Sequence, residues 1–250
     1  MNQDNKAFEA LFDSVEQLFR DEARSRPLAM DAATRALVTL AMVASRMQPE
    51  WMPEHVEACV VQGLGRTEIA EVLMQVYCYA GTYPALSGFR AAGKALADLE
   101  AKGRLTPAQA EVQDRKPSTD AHEARTARGL ELRRQIFGAD NIDPVLASDD
   151  AFQDMFNKLT HDFCFGNIWD RPALSWSLRS QLCLAIASST GQIGAVERHV
   201  RSAVRNGVAR QRIGEIFRLA CAYGGAGHAL ASFEAAQRVF QQMAQEPAQQ

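Results

Sequence analysis

His55 and His199 stand 144 positions apart, each near the head of a helix-like run. Imidazole has an ordinary pKa of about 6.5 and exchanges a proton around neutral pH, so His199 is a candidate acid/base group. Read alone, an isolated histidine at a helix start is more often a packed or solvated residue. Arg179 can pair with a substrate carboxylate, or as readily with Glu215. The acids nearest the histidines, Glu197 and Glu54, do not share their helical faces. Trp169 and Tyr223 are candidate pocket walls as well as candidate core. His228 ends the run Gly224-Gly225-Ala226-Gly227-His228 and either joins His199 in a cleft or faces outward. Cys59, Cys78, Cys164, Cys183 and Cys221 occur singly, with no CxxC. That spacing predicts buried thiols in a reducing compartment, with neither a zinc site nor a dithiol centre.

The spacing of the two histidines belongs to a larger pattern. Moving Arg179–Phe240 back by 144 positions lays it over Arg35–Leu96 without a gap. Arg179 then falls on Arg35, Gly207 on Gly63, Glu215 on Glu71, Tyr223 on Tyr79, Gly225 on Gly81 and Phe233 on Phe89. Glycines, aromatics and a histidine matching at one offset identify an internal repeat. Two copies of one helical unit are expected: residues 1–100 with an N-terminal helix, a polar linker over 101–125, and the second copy over 126–243.

The elements follow from period and punctuation. Residues 6–23 carry Phe8, Leu11, Phe12, Val15, Leu18 and Phe19 on one helical stripe, capped by Asp4 or Asn5. Pro27 breaks that helix, and Asp31 opens the next. Gly63 stops the helix of His55, and Gly81 with Pro84 marks a kink before Leu86. Residues 126–137 form a helix ending at Gly138, and Ser148-Asp149-Asp150 caps another that turns Phe152, Met155, Phe156, Leu159 and Phe163 to one side. Nothing alternates with period two, so the fold class is all-α.

Composition narrows the function classes. A chain of 250 residues, 47% hydrophobic and 23% charged, has material for one large or two small globular domains. A net charge of −3 with scattered basic residues excludes a nucleic-acid footprint. No apolar run reaches the roughly 20 residues of a membrane span. Asp4, Glu9, Asp13 and Glu16 occupy the region where a signal peptide needs a basic start, which places the chain in the cytoplasm.

The run Gly166-x-x-Trp169-x-Arg171-Pro172-x-Leu174, then Arg179-Ser180, His199-Val200-Arg201-x-Ala203-x-x-Asn206-Gly207-Val208, Glu215-Ile216 and Tyr223-Gly224-Gly225 closely resembles the carboxymuconolactone decarboxylase family. The resemblance covers most of residues 127–240 and, more loosely, 31–99. It implies an AhpD-like helical bundle in two tandem repeats. It also implies a ring of six units, which a two-copy chain would supply as a homotrimer with pseudo-sixfold symmetry. The activity implied is loss of carbon dioxide from a small carboxylated lactone in aromatic catabolism, with no cofactor and no metal. His199, Arg179, Glu197 and His228 are the catalytic candidates under that resemblance; Trp169, Tyr223 and His55 are the substrate-binding ones.

Departures from the family pattern bear on the chemistry. Decarboxylases of this type usually carry a glutamate four residues before the histidine, where this chain has Ala195 and, in the first copy, Trp51. The peroxidatic CxxCxxxH is missing too. The first copy lacks the Trp169-x-Arg171-Pro172 lead-in, so it is expected to serve mainly as structure. The alternatives to a lyase are an isomerase, a non-catalytic helical scaffold or small-molecule binder and, after these, a peroxidase-type redox enzyme.

Overall fold

The computed structural model describes residues 29–112, 121–147 and 150–246. The helix expected over 6–23, the break at Pro27 and the Ser148-Asp149 part of the expected cap lie outside the described residues. Among those described, twelve α-helices, one π-helical segment and no strand are present, an all-α bundle as the periodicity predicts.

Two helices occupy the centre, α1 (Ala32–Ser45) and its repeat counterpart α9 (Trp176–Ser189). Asp31 caps α1 by accepting from the Thr34 amide at 2.8 Å, and the equivalent residue, Ser175, caps α9 by accepting from the Leu178 amide at 3.2 Å. From Ala36 to Ser45 and from Arg179 to Ser189 every residue is buried, so neither helix has a solvent face. They pack on each other, and the Ser45 and Ser189 hydroxyls meet at 3.2 Å. Contact between equivalent residues places a pseudo-twofold axis between them.

Each central helix is wrapped by the rest of its own copy and touched by the other. In the first copy these are α2 (Met52–Val61), α3 (Arg66–Ala80) and α4 (Thr82–Ala101). In the second they are α10 (Ile193–Arg205), α11 (Arg210–Gly224) and α12 (Ala226–Gln245). One hydrophobic core runs through both copies. The connections explain why the repeat is readable. Gly63 and Gly207 have φ of 81° and 82°, Gly81 and Gly225 have 97° and 94°, and a side chain is strained in that region. Gly81 alone breaks α3 from α4. Pro84 sits in the first turn of α4, where its missing N–H costs no helical bond.

The segment expected as linker is partly built. Pro107–Ala110 forms a single turn, α5, and Gln109 is buried with Nε2 donating to the Val60 carbonyl at 2.8 Å and the Leu64 carbonyl at 3.2 Å. It thereby ties the single turn to the end of α2 and to the loop that follows it. Beyond residues 113–120, α6 (His122–Phe137) begins earlier than expected and ends at Gly138, whose φ is 91°. Next come α7 (Ala139–Leu146), α8 (Ala151–Thr160) and, continuing α8, a π-helical segment over His161–Trp169. It packs closely on α6: a Cβ on Gly129 would collide with the His161 carbonyl, and one on Gly166 would lie 2.7 Å from the Arg125 carbonyl oxygen.

Candidate functional site

Four residues of each repeat are exchanged across the pseudo-twofold axis. Arg179 of the second copy donates through Nη2 to Glu71 of the first at 2.8 Å, while Arg35 of the first lies 3.4 Å from Glu215 of the second. The histidines behave likewise. His199 packs edge-on against Tyr79 at 5.0 Å between ring centroids, and His55 against Tyr223 at 5.5 Å. The tyrosine beside each histidine therefore comes from the other copy.

His199 stands on α10, its ring between Tyr79 and Phe137, and is 5% exposed. It lines a cavity of about 1000 Å³. Tyr79 and Cys78 enter from the end of α3, Arg133 and Phe137 from α6, and Phe163, Cys164 and Phe165 from the π-helical segment. Interruptions of this kind recur at functional sites because they re-aim side chains without ending the helix. Burial first, and the neighbouring Arg198 charge second, push the His199 imidazole down to about 3. The ring is therefore neutral at pH 7, unlike the freely exchanging imidazole expected from the sequence.

The two histidines differ at Nδ1. His55 Nδ1 lies 3.3 Å from the Thr39 hydroxyl. The residue equivalent to Thr39 in the second copy is Cys183, and there the buried Nδ1 of His199 has no hydrogen-bond partner. The Tyr79 hydroxyl accepts from Trp169 Nε1 at 3.0 Å, which fixes the ring against His199. Burial pushes the Tyr79 phenol well above its usual range, so it stays protonated.

The other candidates are distributed differently from expectation. Arg179 is wholly buried in its ion pair with Glu71, which also receives Arg171 Nε at 2.5 Å. It is out of reach of a substrate and does not pair with Glu215, because the repeats exchange these partners. Trp169 is fully buried behind Tyr79 and does not line the cavity. Tyr223 and His55 face each other elsewhere in the fold. His228 neither joins His199 nor faces freely outward; its Nδ1 lies 3.2 Å from the Ser189 carbonyl and its ring covers Gly191. Glu197 does line the cavity, with its carboxylate 2.7 Å from Arg238 Nη2.

Tyr79, Arg133, Cys78 and Cys164 are not among the site residues expected from sequence, which predicts buried thiols for the two cysteines, whereas both are partly exposed. Tyr79 was visible as the repeat partner of Tyr223, but the offset does not say which tyrosine meets which histidine. Cys78 and Cys164 are hydrogen-bonded to each other, which lowers the Cys164 pKa and raises that of Cys78. Among the described residues no cluster of three or more His, Cys, Asp or Glu side chains could hold a metal ion, and no helix is long and apolar enough to cross a membrane.

Fold and site together define an all-α protein of two equivalent helical units, with one cavity that draws walls from both. The sequence pattern of the carboxymuconolactone decarboxylase family matches residues 9–94 and again residues 155–238, so the chain belongs to that family and carries its unit twice. Over 121 residues, 48% of this chain and 90% of the relative, it is 26% identical to 4-carboxymuconolactone decarboxylase of Acinetobacter baylyi. Over 106 residues, 42% of this chain and 74% of the relative, it is 26% identical to nitrosuccinic acid decarboxylase of Metarhizium robertsii.

Proposed function

We propose that the protein is a coenzyme-independent decarboxylase of a small carboxylated lactone or related oxidised acid, with His199 as the group that moves the proton. One observation carries this reading: a buried imidazole with an unpartnered Nδ1 borders a cavity large enough for a small acid. Family membership and two relatives named as decarboxylases support it.

The chemistry needs two things from the chain. As carbon dioxide leaves, the electron pair of the broken C–C bond passes into the substrate's conjugated acceptor, and a proton must then reach carbon. A neutral His199 has no proton to spare. An anionic substrate alters that, since a negative charge beside a buried imidazole favours the protonated form. Binding thus raises the His199 pKa toward the working pH and loads the acid only when a substrate is present. The Tyr79 and Phe137 rings keep water from His199, which strengthens that coupling.

The test is release of carbon dioxide from 4-carboxymuconolactone, followed by loss of ultraviolet absorbance, with 2-nitrosuccinate run in parallel. Turnover of one of them is expected; turnover of neither would contradict the reading. A second reading rests on Cys78 and Cys164, which share the cavity and a hydrogen bond. Two thiols can become a disulfide while a hydroperoxide is reduced to alcohol and water. Peroxide consumption lost in Cys164→Ser would favour it.

The assembly we propose is a homotrimer in the cytoplasm. Leu86 and Phe89 on α4, and their counterparts Leu230 and Phe233 on α12, are exposed apolar residues at equivalent positions, as repeated subunit contacts require. Light scattering should return three times the 27.5 kDa chain mass; a monomer mass would contradict the trimer.

A further inference from the structure

The cavity around His199 is lined by four arginines, Arg133, Arg198, Arg201 and Arg238, and by one carboxylate, that of Glu197. Two of the four are already matched. Arg238 pairs with Glu197 at 2.7 Å, and Arg201 with Glu246 at 2.6 Å. Arg198 is exposed and has no ion-pair partner among the described residues. Arg133 is the unusual one: it is half-buried, and among the described residues no carboxylate pairs with it.

Its position is nevertheless fixed. Arg133 Nη1 lies 3.0 Å from Asn157 Oδ1 and 3.0 Å from His161 Nε2, and its guanidinium stands 5.9 Å from the centre of the Phe165 ring. Asn157 and His161 are themselves buried. Burial and the nearby Arg133 charge push His161 down to about 4, so it is a neutral acceptor at pH 7. Both fixing bonds use Nη1, which leaves Nε and Nη2, the pair that receives a carboxylate by two parallel N–H···O bonds. A cation held by neutral groups at a cavity wall is a site prepared for an anion that the protein itself does not supply.

Decarboxylation decides which anion. A carboxylate that leaves as carbon dioxide loses its charge in the transition state, so an ion pair to it would stabilise the ground state and slow the reaction. Arg133 is therefore suited to a carboxylate that stays, with the departing one set against the aromatic wall. We propose that Arg133, positioned by Asn157 and His161, is the anchor for the retained carboxylate and makes this cavity selective for carboxylates over their neutral amides. The substrate assignment rests on the decarboxylase reading, whereas the anchor itself is tested by binding alone.

Calorimetric titration at pH 7 with succinate and with its neutral diamide, succinamide, reads the anchor directly. The wild-type protein should bind succinate at least tenfold more tightly than succinamide. Arg133→Gln should abolish that preference, and Arg133→Lys should keep part of it, a point charge replacing a fork. Asn157→Asp, nearly isosteric, puts a carboxylate of the protein on the guanidinium and should abolish it with the melting temperature unchanged. Absence of saturable succinate binding in the wild type, or an undiminished succinate preference in folded Arg133→Gln, overturns the proposal. A succinate preference that depends on Arg133, in a protein that decarboxylates neither candidate acid, would sink the decarboxylase reading and leave the anchor standing.

Discussion

The two histidines differ at the neighbour of Nδ1. Thr39 offers His55 a hydroxyl, whereas Cys183 at the equivalent position leaves His199 Nδ1 without a partner in a dry site. Burial depresses the His199 pKa, and a defined pH dependence of stability follows. In the unfolded chain His199 titrates at about 6.5, in the folded one at about 3. Between those values the unfolded state binds the extra proton, so stability is present above about pH 6.5 and is lost as pH falls toward 3. His161, held down to about 4, acts in the same direction. Denaturant unfolding at pH 7 and pH 4.5 should show His199→Gln losing about 2 kcal/mol less than wild type on acidification. An equal loss in both proteins would mean that His199 is not buried as a neutral ring. His199 was legible because it is a lone histidine in a repeat; Arg133 was not, since one arginine in a polar helix looks like any other.

At the scale of elements, the cavity depends on how closely α6 approaches the π-helical segment. Gly129 and Gly166 make that approach possible. Gly129→Ala has no flexible side chain to displace, only the His161 backbone, and overpacking of this kind costs about 1–3 kcal/mol. A fall in melting temperature of roughly 2–12 °C is expected, at about 2–4 °C per kcal/mol for a chain of this size. Gly227→Ala, in the first turn of α12 with nothing within 4 Å of an added Cβ, should show no fall. Equal melting temperatures for the two variants would contradict the packing described. The helices were largely legible because glycines with positive φ punctuate them at one offset. The π-helical segment was not, since i→i+4 and i→i+5 bonding leave no distinct spacing of apolar residues.

For the whole molecule, the exchanged ion pairs bind one copy to the other. Arg179 is wholly buried and depends on Glu71, whereas Arg35, whose side chain is 29% exposed, retains some access to water opposite Glu215. Breaking a buried pair by removing one partner costs about 3–5 kcal/mol, because a charge is left stranded. Glu71→Ala should therefore destabilise the protein by that order and by more than Glu215→Ala does, as read from urea midpoints at constant slope. The reverse order would contradict the asymmetry. The duplication could be read from sequence, but the exchange could not. An offset of 144 states that Tyr79 and Tyr223 are equivalent, and both pairings of tyrosine with histidine satisfy it equally.

Decarboxylation rates of His199→Gln and His55→Gln, measured on whichever acid the wild-type protein turns over, test the central claim most directly. His199→Gln should lose at least about a hundredfold in kcat with its fold intact, in line with removal of a general acid. His55→Gln should stay within a few-fold of wild type. Unchanged turnover in His199→Gln, or equal losses in the two variants, would contradict the assignment of the chemistry to the imidazole in the shared cavity.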